Sequence, residues 1–138
     1  MLKLRTPEQR VMAGDFQMAL FDTWRVAAGY FNHVTQVVEY FPQDRYFKLD
    51  TQIRSSASLI LDYLAQGSNT ASKKEFEQSL HGALESLYLT ISSFLIAHKW
   101  NYLRKDLYNE VYQNGKLLAN RIRSISQDHD RRAPALLN

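Results

Sequence analysis

Leu20, Trp24, Ala27, Phe31, Val34, Val38 and Phe41 follow one another in alternating steps of four and three residues. A strand would bury every second residue, so this seam can face a core only as an α-helix. The pattern recurs twice. Leu49, Ile53, Ala57, Ile60 and Leu64 form a second stripe, and Phe76, Leu80, Leu84, Leu87, Ile91 and Phe94 a third. Only five glycines and three prolines interrupt 138 residues. Sheet-rich folds need more frequent turns, which leaves long helices and one domain.

Local signals divide the chain. Thr6-Pro7-Glu8-Gln9 has the form of a helix start, with Thr6 as cap, and Gly14-Asp15 is a possible interruption. Pro42 ends the first helix, because the residue before a proline avoids the α region. Asp44 or a neighbour starts the second, and Gly67 is read as its stop. Ser72-Lys73-Lys74-Glu75 is a capping box that opens the third helix. The fourth turns Leu107, Val111, Leu118, Ile122 and Ile125 inward, after a connection at Lys99–Tyr102. The expected helices lie near 15–41, 47–66, 72–98 and 103–126. Residues 1–14 are expected to be a capping segment or short helix, and 127–138 a flexible tail. Short connections make neighbours antiparallel, so the fold class is all-α, an antiparallel up-down-up-down four-helix bundle.

Composition excludes several functions. Without cysteine there is no disulfide, thiolate catalysis or iron–sulfur cluster. There is no phosphate loop and no nucleophile elbow. His81 and Glu85 share a helical face, but the Glu-x-x-His pairs of di-iron bundles are missing. The mid-helix serines of Ser55-Ser56 and Ser92-Ser93 are read as packing or back-bonding residues. Trp24 and His33 are assigned to the core or its edge, His98 to a capping or core role, and His129 to the tail. We expect no enzyme, cofactor, metal or small-molecule substrate. With no long unbroken apolar run or leader-like start, no membrane association is expected and the cytoplasm is the expected location.

Charge and apolar excess point to partners instead. The net charge is +3, and the halves differ: residues 1–85 carry nine Lys/Arg and ten Asp/Glu, residues 86–138 eight and four. No acid occurs between Ser86 and Lys105. On the fourth helix Lys105, Tyr112, Lys116 and Arg123 share one outward side. With Lys99 and Arg104 they form a candidate nucleic-acid-binding surface, cations for phosphates and a ring for bases. The third helix is apolar on most faces over Leu87–Ala97. The surplus marks Tyr88, Leu89, Leu95, Ile96 and Trp100 as a candidate interface between copies.

A set of short motifs gives this pattern a relative. Trp24 stands in the first helix, followed by Phe41-Pro42-Gln43-Asp44-Arg45-Tyr46, Gln52-Ile53-Arg54, Leu64-Ala65-Gln66-Gly67, Ser72 to Phe76, Leu84-Glu85-Ser86 and Tyr102-Leu103. In order and spacing the chain resembles the bacterial four-helix-bundle proteins encoded by intervening sequences in large-subunit ribosomal RNA genes. It departs from them at Leu61, where they carry proline, at Tyr63 and Gln66, where they carry asparagine and glutamate, and at Leu89-Thr90-Ile91, where they carry Glu-Leu-Glu. Those departures resemble the accessory variability determinants of diversity-generating retroelements. That second resemblance implies a basic pentamer that binds nucleic acid and a reverse transcriptase. The alternative expectation is a scaffold or interaction module with no nucleic-acid role.

Overall fold

The computed structural model describes residues 7–43, 48–70 and 72–137, with side chains at 8–13 and 132–137 left aside. The described residues form four helices: α1 Pro7–Val38, α2 Leu49–Gly67, α3 Lys73–Lys99 and α4 Lys105–Leu137. No strand occurs among the described residues. Each helix packs on its chain neighbour, and α4 closes the ring on α1. Neighbours run antiparallel: Ser56 of α2 meets Thr90 of α3, and Tyr30 of α1 meets Val111 of α4. The expected up-down-up-down bundle is the observed one.

The three stripes line its axis. Leu20, Val34, Ile53, Ile60, Leu64, Leu80, Leu87 and Phe94 are essentially inaccessible, and Trp24, Phe31, Leu84 and Ile91 pack against them half-buried. Each fully buried Leu, Ile or Val contributes about 1.5–3 kcal/mol relative to exposure. The α2–α3 seam is the most extensive of the four. It is built from small residues: Ser79, Gly82, Ala83, Ser86, Thr90, Ser93 and Ala97 of α3 are all buried. The Thr90 and Ser93 hydroxyls there have partners. Ser56 bonds Thr90 at 2.7 Å, Thr90 donates to the Ser86 carbonyl at 2.8 Å and Ser93 to that of Leu89 at 2.9 Å.

Helix ends differ from expectation in several places. Helix α1 runs unbroken through Gly14-Asp15, so no boundary falls at residue 14, and it stops at Val38 with a turn at Glu39–Tyr40 leading to Pro42. The Thr6 cap and the Asp44 start lie outside the described residues. Gly67 is not a left-handed stop; it is the last helical residue of α2, and its value is closeness, since a Cβ there would come within 3.2 Å of Leu20. Ser72 does cap α3, accepting from the Glu75 N–H at 3.2 Å. The end of α3 rests on Asn101, whose φ of 64° is left-handed. Its N–H reaches the His98 carbonyl at 3.0 Å, and that of Tyr102 reaches Ala97 at 2.8 Å. These two bonds form a Schellman motif with asparagine in glycine's usual place.

The largest departure is at the C-terminus. Helix α4 continues to Leu137, where a tail was expected from Gln127. His129 is the reason the helix stays docked: it is 6% exposed, wedged between Phe16 and Phe76 at ring distances of 5.2 and 4.3 Å. Its Nδ1 lies 3.3 Å from the Glu77 carboxylate, which also accepts from Ser126 at 3.0 Å. Helix α3 also passes, by length and composition, as a membrane-crossing helix, with a window of mean hydropathy 1.3; half of that window is buried inside the bundle.

Gly115 sets the spacing of α4. A Cβ there would lie 2.7 Å from Ile91 Cδ1 and 2.8 Å from the Tyr30 hydroxyl, which is tied to the Val111 carbonyl at 3.2 Å. Gly29 faces open space. Alanine is the better helix former by about 1 kcal/mol, so Gly29→Ala should stabilise by up to that amount. Gly115→Ala should instead destabilise by about 1–3 kcal/mol, because overpacking outweighs propensity; urea unfolding of the two variants checks both signs. Burial raises the Tyr30 phenol far above its ordinary value. A raised acid stabilises the fold below its unfolded pKa of about 10 and loses that contribution as pH rises beyond it. Alkaline unfolding should therefore begin at higher pH in Tyr30→Phe than in the native chain, once both are referred to their neutral stabilities.

Candidate nucleic-acid interface

Steps of seven, four and seven carry Lys105, Tyr112, Lys116 and Arg123 along one side of α4, and all four are exposed. That side borders α3. The Arg123 guanidinium lies over the Tyr88 ring, 5.5 Å from its centre, and donates to the Tyr88 hydroxyl. Its other nitrogen donates to Asn120 Oδ1 at 3.1 Å, so the head group is held on two sides. On α3, steps of seven and four lead from Tyr88 to Leu95 and Lys99, all exposed. With the helices antiparallel and Tyr88 beside Arg123, Leu95 stands level with Lys116 and Lys99 with Tyr112. Residues expected on two separate surfaces thus share one groove: Tyr88 and Leu95 from the apolar set, Lys99, Lys105, Tyr112, Lys116 and Arg123 from the basic one.

The groove keeps its positive charge. Lys99, Lys105 and Lys116 form no ion pair among the described residues. The nearby acids turn elsewhere: Asp106 pairs with Arg104 at 3.3 Å, and Glu110 approaches His33 of α1 at 3.8 Å. That distance is too long for a hydrogen bond, and His33 Nε2 has none. Arg104 is thus offset by Asp106 and stands before the helical stripe. Tyr108 lies flat on His98, 5.4 Å centre to centre, and its phenol is raised above its ordinary value by burial and then by Tyr112. It therefore stays neutral near physiological pH and adds no negative charge.

Leu89 and Ile96 sit one helical position further round, on the α2 side of the exposed face of α3, with Leu59 of α2 beyond them. Trp100 caps α3 and meets Tyr102 edge-on at 5.9 Å; Tyr102 rests in turn on Phe41. All five residues expected at an interface are exposed, between 38% for Leu95 and 47% for Leu89. Leu59 was not expected, because it opens the apolar run Leu59-Ile60-Leu61, in which Ile60 carries the inward stripe.

The remaining candidates have structural partners. His81 and Glu85 form an exposed pair at 3.0 Å, and among the described residues no group of three ligand-type side chains converges. His98 Nδ1 lies 3.0 Å from the Leu103 carbonyl and holds the α3–α4 connection. A cavity of about 360 Å³ opens between α2 and α3 at Tyr63, Gln66, Thr70, Glu75, Gln78 and Ser79. Its Thr70 and Ser79 hydroxyls donate to the Gly67 and Glu75 carbonyls, and no histidine lines it to activate either.

The family model described as 23S rRNA-intervening sequence protein aligns with residues 20–124, which run from the first buried leucine of α1 to the middle of α4. No curated protein matches the chain.

Proposed function

This chain belongs to the 23S rRNA-intervening sequence protein family, and from that premise we propose that it is a non-enzymatic, self-associating bundle that binds nucleic acid along the α3–α4 groove. The observation that carries the reading is the groove itself: four cations and two tyrosines along two facing helix sides, with Asp106 and Glu110 of α4 directed to Arg104 and His33. Such a surface suits a phosphate backbone, where affinity comes from cations that displace condensed counterions. No constellation for base-pair readout accompanies it, so sequence preference is weak. Self-association uses the neighbouring apolar strip of Leu59, Leu89, Ile96 and Trp100, which leaves the cations clear, and a ring of copies, a pentamer by the resemblance to the retroelement accessories, multiplies the field. The protein works in the cytoplasm. The departures at Leu61, Tyr63 and Gln66 favour a reverse transcriptase as its protein partner, and the genes flanking this one test that part.

A generic RNA should shift in a gel at about 50 mM salt, with affinity falling steeply as salt rises. The triple change Lys105→Glu, Lys116→Glu, Arg123→Glu touches no buried position and should abolish binding while leaving the helical content intact. A native chain that shifts nothing at that salt favours a pure scaffold. In light scattering the native chain should exceed its 16.1 kDa protomer mass several-fold, and Leu89→Glu with Ile96→Glu should return it to the protomer. A native protomer at micromolar concentration contradicts self-association.

A further inference from the structure

Building on that reading, we infer that the groove takes single-stranded rather than duplex nucleic acid. The first argument is width. A B-form major groove is about 12 Å wide and admits one helix. Here the cations are shared between two helices packed side by side, whose axes lie about 8–10 Å apart before side chains are added. The pair is too broad to enter, and the major groove of A-form RNA is narrower still. A duplex can therefore be met only from outside, by its phosphates.

The second argument is the rings. Tyr88 and Tyr112 are each about two-fifths exposed, 41% and 40%, and both stand among the cations rather than behind them. The bases of a duplex are stacked on one another and offer such rings nothing. A single strand offers a π-face at every nucleotide, and aromatic side chains interleaved with cations are how sequence-tolerant single-strand binders hold one. Arg123 strengthens the platform, because its guanidinium is already laid over Tyr88 and held by Asn120, a planar surface on which a base can stack. Tyr112 and Arg123 lie eleven residues apart on α4, about 16 Å along the axis. That length spans roughly five nucleotides at a stacked spacing near 3.4 Å. It matches the lower end of site sizes known for single-strand-binding surfaces.

The test is fluorescence anisotropy with a labelled 12-nucleotide polyuridine RNA and a 12-base-pair RNA duplex, at about 50 mM salt and again over a salt series. The single strand should bind at least ~10-fold more tightly than the duplex. Tyr112→Ala should weaken single-strand binding by about 10-fold and leave the slope against salt unchanged, whereas Tyr112→Phe should retain affinity. Lys116→Ala should instead lower that slope by about one phosphate's share, close to 0.7 for a single strand. Tyr88→Ala, which removes the Arg123 platform, is the second ring variant and should behave like Tyr112→Ala. Equal or tighter binding of the duplex, or full affinity in both alanine ring variants, overturns this inference and leaves the proposed nucleic-acid surface standing. Failure to bind either probe overturns that surface and this inference with it.

Discussion

Helix α3 carries more apolar perimeter than its neighbours can cover, and the rest of the architecture follows from how that perimeter is divided. Its α2 side is made of small residues, so α2 comes close, and the buried Ser86, Thr90, Ser93 side gives no room for a longer side chain. Each hydroxyl there would cost about 1–3 kcal/mol if left without a partner. The back-bonds of Thr90 and Ser93 to carbonyls one turn earlier, and the Ser56–Thr90 bridge, remove that cost for those hydroxyls. Its α4 side meets the gap at Gly115, where Ile91 and Tyr30 both press in. What remains is the outer face of Tyr88, Leu89, Leu95 and Ile96, which stays exposed although Arg123 of α4 reaches its Tyr88 edge.

That leftover face and the basic side of α4 are not independent. Because α3 and α4 are antiparallel and in register at Tyr88–Arg123, the edge of the apolar face becomes one wall of the cationic groove. One arginine serves both. It lies over a ring that a purely apolar interface would bury, and that ring keeps the guanidinium from swinging into solvent. The result is an apolar strip toward α2 and a mixed cationic and aromatic groove toward α4, side by side on one 27-residue helix.

Periodicity made the bundle legible. Every member of the α2 stripe from Leu49 to Leu64 is buried, and the Ser72 capping box is present as read. The exposed ends of the groove were legible too, since heptad spacing alone lines up Lys105, Tyr112, Lys116 and Arg123. Contacts between distant segments were not. Tyr88 and Arg123 are separated by 35 positions, and nothing local marks them as a pair. His129 sits in a polar run that reads as a tail, yet Phe16, Phe76 and Glu77 supply a site for it, and docking there extends α4. The stop of α3 near residue 98 was expected, but not that Asn101 makes it, because asparagine takes the left-handed role only in context.

Lysine reactivity tests the groove most directly. The native chain carries exposed lysines inside it, at Lys99, Lys105 and Lys116, and away from it, at Lys48 and Lys74. Acetylation by a small reagent, read residue by residue by mass spectrometry with and without saturating single-stranded RNA, reports where the strand lies. Lys99, Lys105 and Lys116 should be strongly protected, and the reactivity of Lys48 and Lys74 should be unchanged. Protection confined to Lys48 and Lys74, or spread evenly over all five, contradicts binding in the groove.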